Sequence, residues 1–480
     1  MTPPRLERGY RIGMPSHPSR RHFLVTGAAF SGAASALGAG LAAQSREEQS
    51  REEQSAAPRR RSANERLRIG VIGCGGKGLS DMQACAKQHD IVALCDVDDG
   101  KAANARGQHP KANFYHDWRD LLEREQLDAV TVSTPDHSHA GPALQAMAQG
   151  LHVFVQKPLT HTVQEARLLR DAARKSGVIT SMGNQGTCYD GVRSAVECVR
   201  AGVIGKVNEV HVWTNRPIWP QGIEKPTHID PIPPSFRWDL WLGPAAWRSY
   251  AKGRKNMPFK GYAPFHWRGF WDFGTGALGD MACHVANMPF LALELGDPDW
   301  FESDSEGGND YTAPTQSTIR FHFPKKQTKN LGMRDEVMMT WYDGGRLPPK
   351  NLLPGVKLRA GGFLLVGDKG TLYSPTDYGE RFDLYPKEKF ADFTPPPQTL
   401  PRSPGVHEEW LDGILNQRQP MANFEYAAPF TESILLGNLS LRCNGERLLW
   451  DAENLRITNS ERAQSFISKA YRRGFELPTV

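Results

Sequence analysis

The stretch LRIGVIGCGGKG at residues 67–78 narrows the possible folds of this chain more than any other. An apolar strand, Leu67–Ile72, runs straight into Gly73-x-Gly75-x-x-Gly78, and a helix is expected over Gly78–Gln88. Gly73 permits the tight turn, Gly75 lets the backbone approach a pyrophosphate, and Gly78 allows close packing of helix on strand. The helix start adds free N–H groups and the positive end of its dipole, with Gly76 and Lys77 in the same loop. Asp96 lies 18 residues after Gly78, at the end of a second strand, Ile91–Cys95. A carboxylate there holds both hydroxyls of a ribose and repels a 2′-phosphate. NAD is therefore expected in preference to NADP, with Lys101 and Arg106 as the residues that count the other way. A glycine turn that binds no phosphate is the alternative reading.

The pattern then alternates. Helices are expected near Lys101–Arg106, Trp118–Glu125, Ala140–Gln149 and Val163–Lys175, and strands at Ala129–Ser133, Val153–Val155 and Val178–Met182. Strands alternating with helices predict a doubly wound parallel sheet of Rossmann type over residues 67–184. After Asn184 the rhythm changes. A helix is expected over Gly191–Ala201 and a strand over Val207–Asn215, then a long Trp/Pro/Gly-rich stretch to about Gly276. One helix over Leu278–Leu295 follows, then strands at Ser317–Phe323, Glu336–Tyr342 and Gly362–Val366, and helices at His407–Leu415 and Ala428–Cys443. Residues 185–480 are read as an α+β domain with a mostly antiparallel open sheet, serving substrate binding and oligomerisation.

The first 66 residues follow other rules. Ser19-Arg20-Arg21-His22-Phe23-Leu24 precedes a weakly apolar segment to Ala43, which reads as a twin-arginine signal peptide over 1–43. An uncleaved membrane anchor is the alternative, and translation from Met14 gives a shorter leader. Residues 44–66, with the tandem SREEQSREEQS, are expected to be a disordered linker. The expected destination is the periplasm, through the twin-arginine translocase. Five arginines and one glutamate fall in residues 1–43, so four of the five net positive charges lie there. The remaining chain gives no reason to expect a nucleic-acid partner. The seven cysteines form no CxxC pair, so neither a disulfide framework nor a metal site is expected.

Candidate chemistry gathers at the carboxyl ends of the parallel strands, where open α/β sheets bind ligands. One strand ends in STPDHSHA, with Thr134, Pro135, His137 and His139; the next ends in Gln156-Lys157-Pro158. The second domain offers GTGALGDMACHVANM, with Asp280 and His284 four apart and so on one helix face. A lone Asp-x-x-x-His pair is commonly a solvated pair, and a lone lysine at a strand end commonly snorkels to water. Taken together behind a dinucleotide loop they make a chemical set. His284 takes an alcohol proton, Lys157 hydrogen-bonds the same oxygen, and Asp280 orients substrate or imidazole. Thr134, Pro135, His139, Gln156 and Lys157 are also assigned to the cofactor. The stretch 213–271 holds seven of twelve tryptophans. Most are read as loop anchors. Trp267 with His266 and Arg268 is expected to contact substrate.

Residues 67–450 resemble the Gfo/Idh/MocA oxidoreductases (glucose–fructose oxidoreductase, inositol dehydrogenase and their relatives). The resemblance rests on Gly73-x-Gly75-x-x-Gly78, Asp96, STPDHSHA, QKP and GALGDMACH. It implies that Lys157 and His284 are the catalytic pair, that Asp280 is a substrate contact, that Pro158 follows a cis peptide, and that substrates are sugars, polyols or their derivatives. The family usually has Glu-Lys-Pro where this chain has Gln156-Lys157-Pro158. The expected function is hydride transfer between NAD and a secondary alcohol, in a homo-oligomer. Two alternatives stand beside it: redox-neutral chemistry on a resident NAD, and a non-catalytic NAD- or sugar-binding protein.

Overall fold

In the computed structural model, residues 65–479 are described; the expected leader and all but the last two linker residues lie outside them. Six strands form one parallel sheet: β1 (Arg68–Ile72), β2 (Asp90–Cys95), β3 (Asn113–Tyr115), β4 (Ala129–Val132), β5 (His152–Gln156) and β6 (Thr180–Gly183). Their order is β3-β2-β1-β4-β5-β6. Every residue of β4 and β5 is buried, as helices on both faces require. The order reverses between β1 and β4, and this opens a crevice at the strands' carboxyl ends. β3 carries only three residues, too few for its periodicity to show in the sequence. The Val163–Ser176 helix is delimited at both ends. Thr162 and Glu165 make a capping box, and Gly177 takes the left-handed conformation at φ 67°.

The second sheet has the order β15-β14-β13-β7-β12-β9-β8-β16-β17. Its strands are β7 (Val207–Trp213), β8 (Trp300–Glu306), β9 (Gln316–Phe323), β12 (Val337–Tyr342), β13 (Gly362–Gly367), β14 (Gly370–Ser374), β15 (Asp383–Tyr385), β16 (Leu448–Asp451) and β17 (Arg456–Ile457). β10 (Lys326–Gln327) and β11 (Met333–Arg334) pair apart as a hairpin. Only β7 and β12 run parallel; all other neighbours in the nine-stranded sheet are antiparallel. The chain is therefore a Rossmann sheet followed by a mostly antiparallel α+β domain.

Two expected helices differ. Leu278–Leu295 is not one helix but two, Gly276–Val285 and Asn287–Leu293, joined at Ala286. Pro289 has no N–H to bond the carbonyl of the preceding turn, which favours the break at Ala286. The last long helix starts at Phe424, earlier than Ala428, because the Asn423 side chain accepts from the Glu425 and Tyr426 N–H groups. Pro429 is carried inside it. Between β7 and the Gly276–Val285 helix, the tryptophan-rich stretch packs on itself. Trp238 and Trp241 stack with centroids 4.9 Å apart beside Phe236, Tyr262, Phe270 and Phe273. Of the seven tryptophans only Trp247 is exposed, at 64%. No helix among the described residues is long and apolar enough to cross a membrane.

Candidate active site

A cavity of about 660 Å³ runs along the crevice from Gly73 and Asp96 at one end to Lys157, Asp280 and His284 at the other. That volume falls in the range of small-molecule and cofactor sites. The glycine loop is tight enough to be diagnostic. A Cβ on Gly78 would lie 1.7 Å from the Gly73 carbonyl oxygen, and one on Gly73, whose φ is 81°, would lie 2.8 Å from Ser133 O. A Cβ on Gly75 would meet the Lys101 Cβ at 2.8 Å. Gly78 is thus a packing residue of the cradle, while Gly73, Gly75, Gly76 and Lys77 line the cavity itself. Asp96 accepts from the N–H groups of Gly75 (2.9 Å) and Asp98 (3.0 Å). Burial pushes its carboxyl up to about 6, against the pull of those N–H groups. The cradle and a carboxylate at the end of β2 fit the pyrophosphate and ribose of a dinucleotide.

At the other end, Asp280 sits on the Gly276–Val285 helix between two cations. Lys157 Nζ donates to its Oδ1 at 3.0 Å and to its carbonyl at 2.7 Å, and Arg268 Nε donates to the same Oδ1 at 2.9 Å. Burial alone raises the Asp280 carboxyl, but Lys157 and Arg268 outweigh it and hold it at about 2. The Lys157–Pro158 peptide is cis. His284 is buried, and burial followed by the charge of Lys157 keeps its imidazole well below the usual histidine range. Its tautomer follows from Asn184. The Asn184 amide nitrogen donates to Cys283 O at 2.6 Å, so its Oδ1 faces His284 Nδ1 at 3.1 Å. Nδ1 must then carry the proton, and Nε2 keeps a lone pair toward the cavity. Tyr378 closes this corner, its ring centroid 4.6 Å from that of His284.

The residue expected to be a glutamate is tied to a carboxylate elsewhere. Gln156 Nε2 donates at 2.9 Å to Oδ2 of Asp81, in the Lys77–Ala86 helix. Asp81 is wholly buried and also receives Lys77 Nζ (2.6 Å), Ser133 Oγ (2.8 Å) and His407 Nε2 (2.9 Å). Burial raises its carboxyl; His407 and Lys77 more than offset this and lower it. A strand glutamate at 156 would face this carboxylate. Gly183 on β6 makes the room, since a Cβ there would lie 2.6 Å from Gln156 Nε2.

The other expected residues divide. Thr134, Pro135, Gln156, Trp267 and Arg268 line the cavity. His139 does not. It is buried, with Nδ1 2.9 Å from Pro158 O and Nε2 2.8 Å from Thr134 O, so it joins the ends of β4 and β5 behind the cofactor site. His266 is not among the lining residues either: its Nδ1 lies 3.2 Å from Lys260 O, while Trp267 and Arg268 of the same 3₁₀ turn, His266–Gly269, line the cavity. Asn184, Asp81, Asp136, Tyr378 and Arg216 were not singled out by sequence. Asn184 ends β6, and the rule about carboxyl ends of parallel strands reaches it. Asp136 stands inside the quoted STPDHSHA. It is buried, accepts from Thr275 Oγ1 at 2.8 Å, and lines the cavity. Burial, then the charge of Asp280, pushes it up to about 7.

The comparisons with known proteins bear on the family and the fold. The family model for Gfo/Idh/MocA oxidoreductases, NAD-binding Rossmann fold, matches residues 67–184, and that for the family's C-terminal alpha/beta domain matches residues 192–477. A glycosyl hydrolase family 109 protein of Shewanella sp. (strain W3-18-1) is 32% identical over 152 residues, 29% of this chain and 33% of that protein. The match thus spans about a third of that relative's length. The WlbA dehydrogenase of Bordetella pertussis, solved with NADH and UDP-GlcNAcA, has the same fold at TM-score 0.55 and 16% identity, over 81% of this chain and 99% of that one. An inositol dehydrogenase homolog of Azotobacter vinelandii, solved with NADH and myo-inositol, superposes at TM-score 0.50 and 15% identity, covering 82% and 100%. With family models matching both the parallel-sheet domain and the domain that follows it, the chain belongs to the Gfo/Idh/MocA oxidoreductase family and carries an NAD-binding Rossmann domain.

Proposed function

We propose that the protein moves a hydride between NAD and a secondary alcohol carbon of a sugar, polyol or sugar derivative. The observation that carries this is that Lys157, held by Asp280, and His284, whose Nδ1 is engaged by Asn184, line one and the same cavity. His284 Nε2 takes the hydroxyl proton, since its Nδ1 is already committed to Asn184. Lys157 donates to the same oxygen as charge builds on it. Asp280 holds Lys157 in place, and Arg268 fixes Asp280 by donating to the same carboxylate oxygen. Bound NAD supplies the hydride acceptor or donor. Trp267 and Trp219 give the cavity flat apolar walls of the kind that pack on sugar faces. The solved relatives crystallised with UDP-GlcNAcA and with myo-inositol point to the same substrate class. The Arg20-Arg21 pattern supports reading this as periplasmic chemistry, after export through the twin-arginine translocase, and the family resemblance favours a homo-oligomer.

The test is a panel of sugars and polyols offered to the leaderless protein with NAD, read as NADH absorbance. Turnover of at least one substrate, lost in Lys157→Ala with nucleotide still bound, is the expected result. Bound nucleotide with no net NADH from any substrate would remove the simple dehydrogenase reading. It would favour the redox-neutral one, in keeping with the family 109 relative.

A further inference from the structure

We propose that the adenosine half of the crevice is locked under a clasp from the second domain, so that NAD is held as a resident group. The proposal rests on the reading above that this crevice binds NAD. The sheet order places β2 and β3 on the Asp96 side of the crevice and β5 with Lys157 on the other. The Asp96 side is therefore where an adenosine ribose belongs.

Two separate segments cover that side. The first crosses the loop after β2. Arg237 N–H donates to Val97 O at 2.8 Å and Asp99 N–H donates to Ser235 O at 3.0 Å, making an antiparallel bridge between Asp98 and Phe236. Phe236 and Trp241 of this segment line the cavity. The second is a strap, Lys469–Leu477. Its Arg472 donates from the backbone to Pro244 O (3.0 Å) and from Nε to Gly243 O (2.9 Å), and pairs with Asp239. The ring of Phe475 lies between the guanidinium groups of Arg119 and Arg472, each 4.4 Å from its centroid. Arg119 belongs to the helix after β3 and also donates to Gly474 O. Further back, Lys469 Nζ bonds to His137 O (2.9 Å) and pairs with Glu165 (2.8 Å), which also accepts from Tyr471 at 2.8 Å. Tyr471 and Phe475 line the cavity on the same side as Trp118.

The strap thus joins the first domain to the 239–244 turn, and the turn's segment is itself joined to the loop after Asp96. Aromatic walls suit a purine. For adenosine to leave, strap and turn must part, which is a local opening with its own free-energy cost and acts on the off-rate. The bland alternative is that the strap only braces the two domains; nucleotide exchange would then be indifferent to it.

The experiment measures exchange. Full-length leaderless protein is purified and passed through gel filtration, a sample is denatured to count nucleotide per chain, and the rest is incubated with radiolabelled NAD. The parent is expected to carry NAD(H) and to exchange it over hours. Arg472→Ala, whose contacts lie in the strap, is expected to speed exchange at least about tenfold. Phe475→Ala is an independent second variant, and far-UV circular dichroism verifies that each is folded. Exchange by the parent within seconds overturns the clasp while leaving NAD binding intact. So does parental exchange at an unchanged slow rate in both folded variants. Failure of the parent to bind labelled NAD at any concentration overturns instead the reading on which the proposal rests.

Discussion

At the Asp96 end the crevice is built from backbone and aromatic rings: the glycine cradle, the bridge of Asp98 to Phe236, and the Gly243 carbonyl that accepts from the strap's Arg472. At the Lys157 end it is walled by ionisable side chains, with Lys157, Arg268, Asp280, Asp136 and His284 packed about one space. Backbone donors and acceptors do not titrate, so the glycine cradle is the same across pH, and the pH dependence of the first end rests on Asp96, which burial pushes up to about 6. The second depends on which groups are charged. Its two carboxyls show the range: Asp280, between two cations, is held at about 2, while Asp136, with one hydroxyl partner and a like charge nearby, is pushed up to about 7. Binding and chemistry are thus built from different materials in one cavity.

That separation predicts variants that break one end without the other. The largest effect is expected at His284. Removing the proton acceptor in His284→Ala should cost on the order of 10²–10⁴ in turnover. Nucleotide occupancy should not change, because the groups assigned to the adenosine end do not touch His284. Single-turnover rate and nucleotide per chain, measured on one preparation, check both halves. Equal loss of occupancy and rate would show that the two ends are not independent.

Gln156→Glu brings the next effect, because it joins the two ends through Asp81. It replaces an amide donor with a second carboxylate 2.9 Å from a buried one. Two carboxylates that close cannot both ionise cheaply, so the variant should lose about 3 kcal/mol of stability at pH 7. The loss should shrink as pH falls and one of them takes a proton. The double variant Asp81→Asn/Gln156→Glu transposes acid and amide and should recover part of it. Chemical denaturation at pH 7 and pH 5 measures all three proteins.

Much of this was legible in the sequence, for reasons that particular residues make plain. The cradle is local: a strand, three glycines and a helix lie in twelve residues, so chain order alone places them. Asp96 and Lys157 follow because parallel strands present their carboxyl ends together. Asp280 and His284 follow from helical spacing. What the sequence could not reach depends on contacts between distant segments. Asp81 meets His407 across 326 residues, and Lys469 meets His137 across 332. That Trp267 and Arg268 line the cavity while His266 does not was out of reach for a smaller reason: within a 3₁₀ turn adjacent side chains point in different directions, and no periodicity says which of three neighbours faces inward.

The smallest effect sharpens the comparison of the two carboxyls. In the folded protein Asp136 sits at about 7, whereas an unfolded aspartate sits near 3.9. A group whose folded pKa is raised contributes stability that is full below the unfolded pKa and is lost as pH rises through the folded one. In the parent, Asp136 therefore favours the fold at pH 5, where it is protonated, and has lost that contribution by pH 8. Asp136→Asn has no such titration. Relative to the parent, the variant should gain about 2–3 kcal/mol of stability between pH 5 and pH 8. Differencing the two proteins removes the buried histidines. His137, for one, is lowered by burial to about 3 and pulls the other way, disfavouring the fold as pH falls below the ordinary histidine value. Urea unfolding of both proteins at closely spaced pH values gives the difference curve. A flat curve would mean that Asp136 is ionised throughout, and that both carboxyls at this end belong to the same charged network as Asp280.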